Sequence, residues 1–256
     1  MSAIGTGPIR AGGMLLEWFD LVGAETVGPQ IVTEIERDRP NYAAQPGFIR
    51  KLLPIVFERD GAAAAAGGSY LFDSLGNVRA HLCWTQTEHR IDGLLFHEQP
   101  FVANFRGFAG EVVGAQDFAP LASKQAANRI QVWRTRGQAA LPLARKVWPI
   151  LLARARDAGL SAVWLGADSE TQTIGLLSVV PRLSARNELD YAALDRLRGP
   201  MSIADGLQDF AEFELVVDKC MWVFTIWLPP VNGRPTEGLW PSSPPLPAPA
   251  YIIHGE

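Results

Sequence analysis

The chain has 256 residues, of which 48% are hydrophobic and 20% charged, and its formal net charge is −4 at pH 7. This length and composition allow a sizeable buried core and exclude a globally disordered chain. The nearly balanced charge predicts neither a nucleic-acid-binding surface nor a polybasic membrane-binding face.

The N-terminal residues, the short apolar segments and the cysteines together predict a cytoplasmic protein. The first residues, MSAIGTGPIR, lack the basic start and apolar run of a signal peptide. The most apolar segment, CMWVFTIWL at 220–228, is far too short for a membrane-spanning helix and suits a buried strand. Cys83 and Cys220 form no CxxC pair, which favours free thiols in a reducing compartment. The chain has four histidines and no Cys/His cluster, so we expect no metal site.

The hydrophobic pattern of the first half predicts the order β-α-β-β-α-β. The predicted elements are a strand at 14–22, a helix from Arg50, a strand in the segment that ends at Ser74, a hairpin turn at 73–77, a strand at 78–84, a helix ending at Pro100 and a strand at 108–113. The strand at 78–84 is inferred from alternation, with Val78, Ala80, Leu82 and Trp84 on one face and Arg79, His81 and Cys83 on the other.

The second half predicts the same order. It has a strand at 129–135, an amphipathic helix at 141–156, two strands joined by a turn, a helix at 187–200 and a strand at 212–217. The pattern RKxxPI occurs at Arg50 and again at Arg145, an offset of 95 residues. This match favours an internal duplication.

Together these patterns predict an α+β fold of two tandem ferredoxin-like repeats whose sheets face each other as an intrachain dimeric α+β barrel. The predicted divisions are a first repeat at 1–120 with an insertion at about 24–44, a second repeat at 121–228 and a proline-rich tail at 229–256. The insertion could be a lid, an oligomer contact or inert surface.

Several short motifs resemble those of the NIPSNAP family of the dimeric α+β-barrel superfamily. They are Gln45-Pro46-Gly47 before a predicted helix, Leu75-Gly76 before a predicted strand, His81-Leu82-Cys83-Trp84 within it, and Arg90. The resemblance covers about residues 14–228 and implies a small-molecule-binding barrel. The superfamily includes cofactor-free monooxygenases, isomerases, polyketide-modifying proteins and haem enzymes.

Eight residues are candidates for a site. The predicted catalytic residues are His81, as a base beside Arg79 on one strand face, and Arg90, which resembles a family arginine. The predicted substrate-binding residues are Trp18, Tyr70, Trp84, Trp133 and Arg134. Each has a structural alternative: a core histidine, arginines in surface salt bridges, and aromatic side chains in an ordinary core.

Two functions remain open from the sequence. In the first, the protein binds a small apolar or aromatic molecule and could act as a cofactor-free monooxygenase, isomerase or cyclase. In the second, it is a non-catalytic assembly protein with a filled barrel. We expect no cofactor, because the second half has no histidine before the tail to ligate a haem iron. The expected partner is a small molecule, not nucleic acid or a membrane, and the chain could form a homodimer.

Overall fold

A computed structural model describes residues 6–23, 37–57, 63–119, 126–181 and 213–228. Most of the predicted insertion, the helix at 187–200 and the proline-rich tail lie outside these ranges. Within the described ranges, none of the helices has the length and apolar character needed to cross a membrane.

In the ranges that the structure describes, the first half contains seven strands and two helices. They are β1 (Gly7–Pro8), β2 (Gly13–Leu21), helix α1 (described at 37–43), β3 (Phe48–Phe57), β4 (Ala63–Phe72), helix α2 (Leu75–Thr87), β5 (Arg90–Ile91), β6 (Leu94–Leu95) and β7 (Val102–Asp117). A 3₁₀ turn at Phe96–Glu98 follows the β5–β6 hairpin. Setting aside β1 and this hairpin, the order is the ferredoxin-like β-α-β-β-α-β.

The second half repeats this strand pattern. Its described elements are β8 (Ala126–Thr135), helix α3 (Ala140–Asp157), β9 (Ala162–Asp168), β10 (Thr173–Pro181) and β11 (Phe213–Trp227). The segment between β10 and β11, where the second predicted helix falls, lies outside the described residues.

Eight antiparallel strands close into a barrel in the order β7-β2-β4-β3-β11-β8-β10-β9, and β9 pairs back onto β7. Each half contributes four consecutive strands to this order. The halves join at two seams, where Ile226 of β11 pairs with Leu52 of β3 and Ala167 of β9 pairs with Glu111 of β7. Closure leaves none of these eight strands with an open edge. The predicted α+β fold of two ferredoxin-like units forming one barrel is confirmed.

Two apolar clusters pack on opposite faces of the barrel wall. One fills the barrel interior and includes Met14, Leu16, Leu52, Leu71, Ile130, Trp164, Leu177 and Ile226. The other lies between the wall and the helices and includes Leu15, Phe19, Leu53, Phe72, Val147, Leu151, Ile174 and Leu176. Alternation along each strand sends successive side chains to the two faces, so both faces of the strands are apolar.

One buried ion pair crosses the barrel interior. The Arg50 guanidinium donates two hydrogen bonds to the Asp117 carboxylate, at 3.0 and 2.9 Å, and both side chains are buried. Burial raises the pKa of Asp117, although the Arg50 hydrogen bond and charge oppose that shift. The bidentate geometry satisfies both carboxylate oxygens where water is excluded.

The RKxxPI match aligns residues that are not structurally equivalent. Its first copy lies in strand β3, and its second lies in helix α3. The strands of the two halves correspond at a larger offset, since β2 begins at Gly13 and β8 at Ala126. The helix predicted from Arg50 is therefore wrong: β-branched and aromatic residues, buried on both faces, favour a strand there.

The segment 78–84, predicted as a strand, belongs to helix α2. Ser74 is the helix N-cap, and its hydroxyl accepts a hydrogen bond from the backbone N–H of Asn77. The buried residues Val78, His81 and Thr85 follow a helical spacing. The helix predicted to end at Pro100 is instead the β5–β6 hairpin and the 3₁₀ turn.

Candidate functional site

Charged and polar side chains form a row across the outer face of the first half's sheet. Glu17 on β2 lies opposite Gly68 on β4, and Tyr70, two residues along β4, lies opposite Lys51 on β3. Lys51 in turn lies opposite Trp227 on β11, across a seam. Four adjacent strands therefore place a carboxyl group, a phenol, an ammonium group and an indole side by side.

Helices α1 and α2 cover this row. Tyr42 of α1 contacts the rings of Tyr70, His81, Trp84 and Trp227, with ring centroids 5.3–6.5 Å apart. Asp38 of α1 pairs with His89, just beyond the end of α2, and His89 stacks on Trp84 at 4.1 Å. The two helices are thus tied together over the site.

The Lys51 ammonium group lies inside a cage of aromatic rings. Its Nζ is 4.0 Å from the ring centroid of Trp227, 4.2 Å from that of Tyr42 and 4.8 Å from that of Tyr70. Lys51 is only 3% exposed. Cation–π contacts of this kind gain strength where water is excluded, so the rings help to keep a buried cation in place.

The Glu17 carboxyl group is poised to exchange a proton near neutral pH. Burial raises its pKa to about 7, and the charge of Lys51 and a hydrogen bond donated by the Tyr70 hydroxyl oppose that rise. Burial also raises the pKa values of Tyr42 and Tyr70, with a further contribution from Glu17. The two phenols therefore stay protonated, whereas the pKa of Glu17 lies where its charge can change under ordinary conditions.

Two cavities meet at Glu17. The inner one, about 30 Å³, lies among Glu17, Tyr42, Lys51 and Tyr70, and has room for one or two water molecules. The outer one, about 210 Å³, lies between α2 and strands β2 and β7. Glu17, Gln86 and Phe105 line both. The arrangement can accept a proton from a molecule beside Glu17.

The structure brings three of the eight predicted residues together, namely Tyr70, His81 and Trp84. His81 is on helix α2 and not on a strand, and its ring packs 5.1 Å from Tyr70 and 5.7 Å from Trp84. Both ring nitrogens are buried without a hydrogen-bond partner. Burial, with the nearby charge of Lys51, lowers the pKa of His81 to about 3. His81 is therefore a neutral ring in an aromatic cluster.

The three predicted arginines lie apart from this cluster. Arg79 points away from His81 and pairs with Glu170 of the second half. Arg90 is on the β5–β6 hairpin, where it pairs with Glu98 and donates to the Gly93 carbonyl. Arg134 shares Glu214 with Arg136 on the surface. The expectation that Arg79 lies beside His81 on a strand face is wrong, because these residues lie on a helix.

The other two tryptophans also lie elsewhere. Trp18 faces the barrel interior, because it alternates with Glu17 along β2. Trp133 packs on the outer face of the second half, where its ring meets that of Phe213 edge to face.

Sequence reasoning missed Glu17 and Lys51, two charged residues of the site. The available signal was a charged residue in the middle of a mostly apolar strand, as Glu17 is in MLLEWFDLV. A buried charge needs a partner, and that requirement marks functional positions. Lys51 was not recognised because the segment from Arg50 was predicted to be a helix, whose spacing does not place Lys51 beside Glu17. Among the described residues, no three His, Cys, Asp or Glu side chains are grouped so that they could hold a metal ion.

Comparison with solved structures identifies the fold. A protein from Fusobacterium nucleatum subsp. nucleatum, provisionally assigned as a monooxygenase, matches over 85% of this chain and 95% of its own, with a TM-score of 0.54 and 15% identity. An anthrone oxidase-like protein matches over 88% and 94%, with a TM-score of 0.51 and 13% identity. A second provisionally assigned monooxygenase, from Lactobacillus acidophilus, matches over 84% and 95%, with a TM-score of 0.50 and 8% identity.

No protein-family model and no curated protein matches the chain. The structural similarities, all at 15% identity or below, concern the fold and not the reaction. The chain has the dimeric α+β-barrel fold, with both barrel halves in one polypeptide.

Proposed function

We propose that this protein binds a small apolar or aromatic molecule between the first half's sheet and helices α1 and α2, and that Glu17 removes a proton from it. The observation that carries the proposal is the buried Glu17 carboxyl group, whose pKa is raised to about 7 and which lines both cavities. A general base works best when its pKa lies near the working pH.

Lys51 and Tyr70 complete the arrangement. When Glu17 takes up a proton, the negative charge moves to the bound molecule. The charge of Lys51, which already acts on Glu17, then stabilises that anion. Tyr70 stays protonated and donates a hydrogen bond to the carboxylate, which orients it.

Proton removal beside a carbonyl group is a step shared by isomerases, cyclases and cofactor-free monooxygenases, so the site supports this group of reactions. The monooxygenase assignments of the similar structures agree with it by analogy of fold alone. Membership of the NIPSNAP family, the cytoplasmic location and a homodimer remain predictions.

Solvent exchange of an acidic C–H group tests the proposal. The wild-type protein should accelerate deuterium incorporation into 2-tetralone in D₂O, followed by proton NMR. Glu17→Gln should lower the rate roughly 10²–10⁴-fold, the usual contribution of a general base. The matched control, Glu111→Gln, removes an exposed carboxylate that pairs with Arg145 and should leave the rate unchanged. Equal rates for wild type and Glu17→Gln would refute Glu17 as the base.

A non-catalytic assembly protein is the second candidate, and the filled barrel interior favours it. In that case deletion of residues 235–256 should change the oligomer size measured by light scattering. If the oligomer size is unchanged and the exchange rate depends on Glu17, the assembly function is refuted and the small-molecule function is supported.

A further inference from the structure

Glycines flank Glu17 on both neighbouring strands. Glu17 lies opposite Gly68 of β4 on one side and opposite Gly107 of β7 on the other. Side chains directly opposite each other on a sheet normally pack together. Glycine at both positions means that no side chain lies directly across from the carboxyl group on either neighbouring strand.

The two sides differ. On the Gly68 side the space is filled by the Tyr70 ring, since a Cβ added to Gly68 would lie 2.4 Å from that ring. On the Gly107 side the three nearest atoms to an added Cβ would be the Leu16 carbonyl oxygen at 3.2 Å, Glu17 Cγ at 3.7 Å and Leu15 Cδ1 at 3.9 Å. Gly68 therefore admits the hydrogen-bonding partner of Glu17, and Gly107 leaves the outer cavity open.

The walls of the outer cavity are apolar. Leu15, Leu82, Phe105 and Ala109 contribute to them, and exposed Gln86 and Gly107 lie where the cavity meets solvent. Arg106 also borders the cavity, but it lies opposite Trp18 and therefore on the face of the sheet turned away from Glu17. Among the described lining residues, Glu17 is then the ionisable side chain that faces the space.

We propose that the outer cavity, bordered by Gly107, is the binding site for an uncharged aromatic molecule of one or two rings that presents a weakly acidic O–H or C–H group to Glu17. This rests on the proposed function and specifies its substrate class. An apolar cavity of about 150 Å³ accepts benzene, whereas pockets for larger ligands start at about 300 Å³. A cavity of about 210 Å³ lies between these limits.

The chemistry at this site is a proton transfer. The X–H bond of the ligand breaks, its electron pair stays on the ligand, and an O–H bond forms on the Glu17 carboxylate. Solvent then takes the proton from Glu17. Nothing is oxidised or reduced in this step, so it needs no co-reactant.

Binding of 2-naphthol, followed by its fluorescence, tests the site. Gly107→Val should weaken binding at least about tenfold because its side chain fills the cavity. Gly107 has an ordinary φ, but an added Cβ would lie 3.2 Å from the Leu16 carbonyl oxygen, so a small backbone shift is needed and circular dichroism should check that the variant is folded. Leu82→Phe fills the same space from helix α2 and should weaken binding in the same direction. Gly76→Ala, on an exposed part of α2, is the control and should bind as wild type does.

Two results would overturn this site: 2-naphthol binding to both cavity-filling variants within twofold of wild type, or equally tight binding of the three-ring 9-phenanthrol to the wild type. A different result would refute the proposed function. If Glu17→Gln abolishes neither 2-naphthol binding nor 2-tetralone exchange while Gly107→Val abolishes both, the cavity binds the ligand but Glu17 is not the base.

Discussion

The two halves of the barrel share one strand order and differ in what their outer faces carry. Beneath α3, the second half presents Leu165, Ile174 and Leu176, which pack against Val147 and Leu151 of that helix. At the comparable place, the first half presents Glu17, Lys51 and Tyr70, with a glycine on each side of Glu17. One topology therefore supports both a closed apolar layer and a polar site, and the choice depends on a few outward-facing residues.

Removal of the buried cation should have the largest effect on stability. Lys51→Met removes the charge that lowers the pKa of Glu17, so Glu17 stays protonated at pH 8 and the protein also loses the three cation–π contacts of Lys51. The free energy of unfolding, measured by urea denaturation, should fall at both pH values, and by up to about 1.4 kcal/mol more at pH 8, which is about one pH unit above the pKa of Glu17 in the wild type. At pH 5 this extra loss is absent, because Glu17 is protonated in both proteins.

Lys146→Met, on the exposed face of α3, is the matched control and should change stability by less than about 0.5 kcal/mol. In the double variant with Glu17→Gln, the extra loss at pH 8 should disappear, since no carboxyl group then remains at position 17 to ionise. An equal loss at both pH values would contradict the coupling of Lys51 to Glu17.

The second prediction concerns the pH dependence of stability, to which the first half should contribute through Glu17. Glu17 has a higher pKa in the folded protein, about 7, than its ordinary value of 4.5, so the folded state holds this proton more tightly. Its contribution to stability is present below about pH 4.5 and is lost as pH rises to about 7. That shift corresponds to about 3 kcal/mol. The stability difference between wild type and Glu17→Gln should follow this window, and a difference independent of pH would contradict it.

His81→Phe should have the smallest effect. The imidazole donates and accepts no hydrogen bond in the described structure, so a ring of similar shape in this aromatic cluster removes two unpaired buried nitrogens. We expect the free energy of unfolding, measured by thermal denaturation, to rise by no more than about 1 kcal/mol above the wild-type value. Exchange of 2-tetralone should continue. Loss of exchange with the melting temperature preserved would restore His81 as a catalytic residue.

The sequence supported the architecture better than the site. Strands β2 and β11 contain long apolar stretches, and α3 has a clear helical period, so these elements could be inferred. Strand β3 could not, because its two-sided burial resembles a helical pattern. Segment 78–84 fits both an alternating and a helical pattern, and only the cap at Ser74 distinguishes them. The site depends on cross-strand register, which places Glu17 beside Gly68 and Gly107. Register between distant strands is set by tertiary packing and cannot be inferred from local spacing.

Trp227 gives the barrel seam a further meaning. This indole belongs to the last described strand of the second half, yet it forms one wall of the cage around Lys51 in the first half. The second half thus supplies part of the candidate site of the first. Selection on the chemistry of one half would therefore constrain the other, and the two could diverge in sequence without either becoming dispensable.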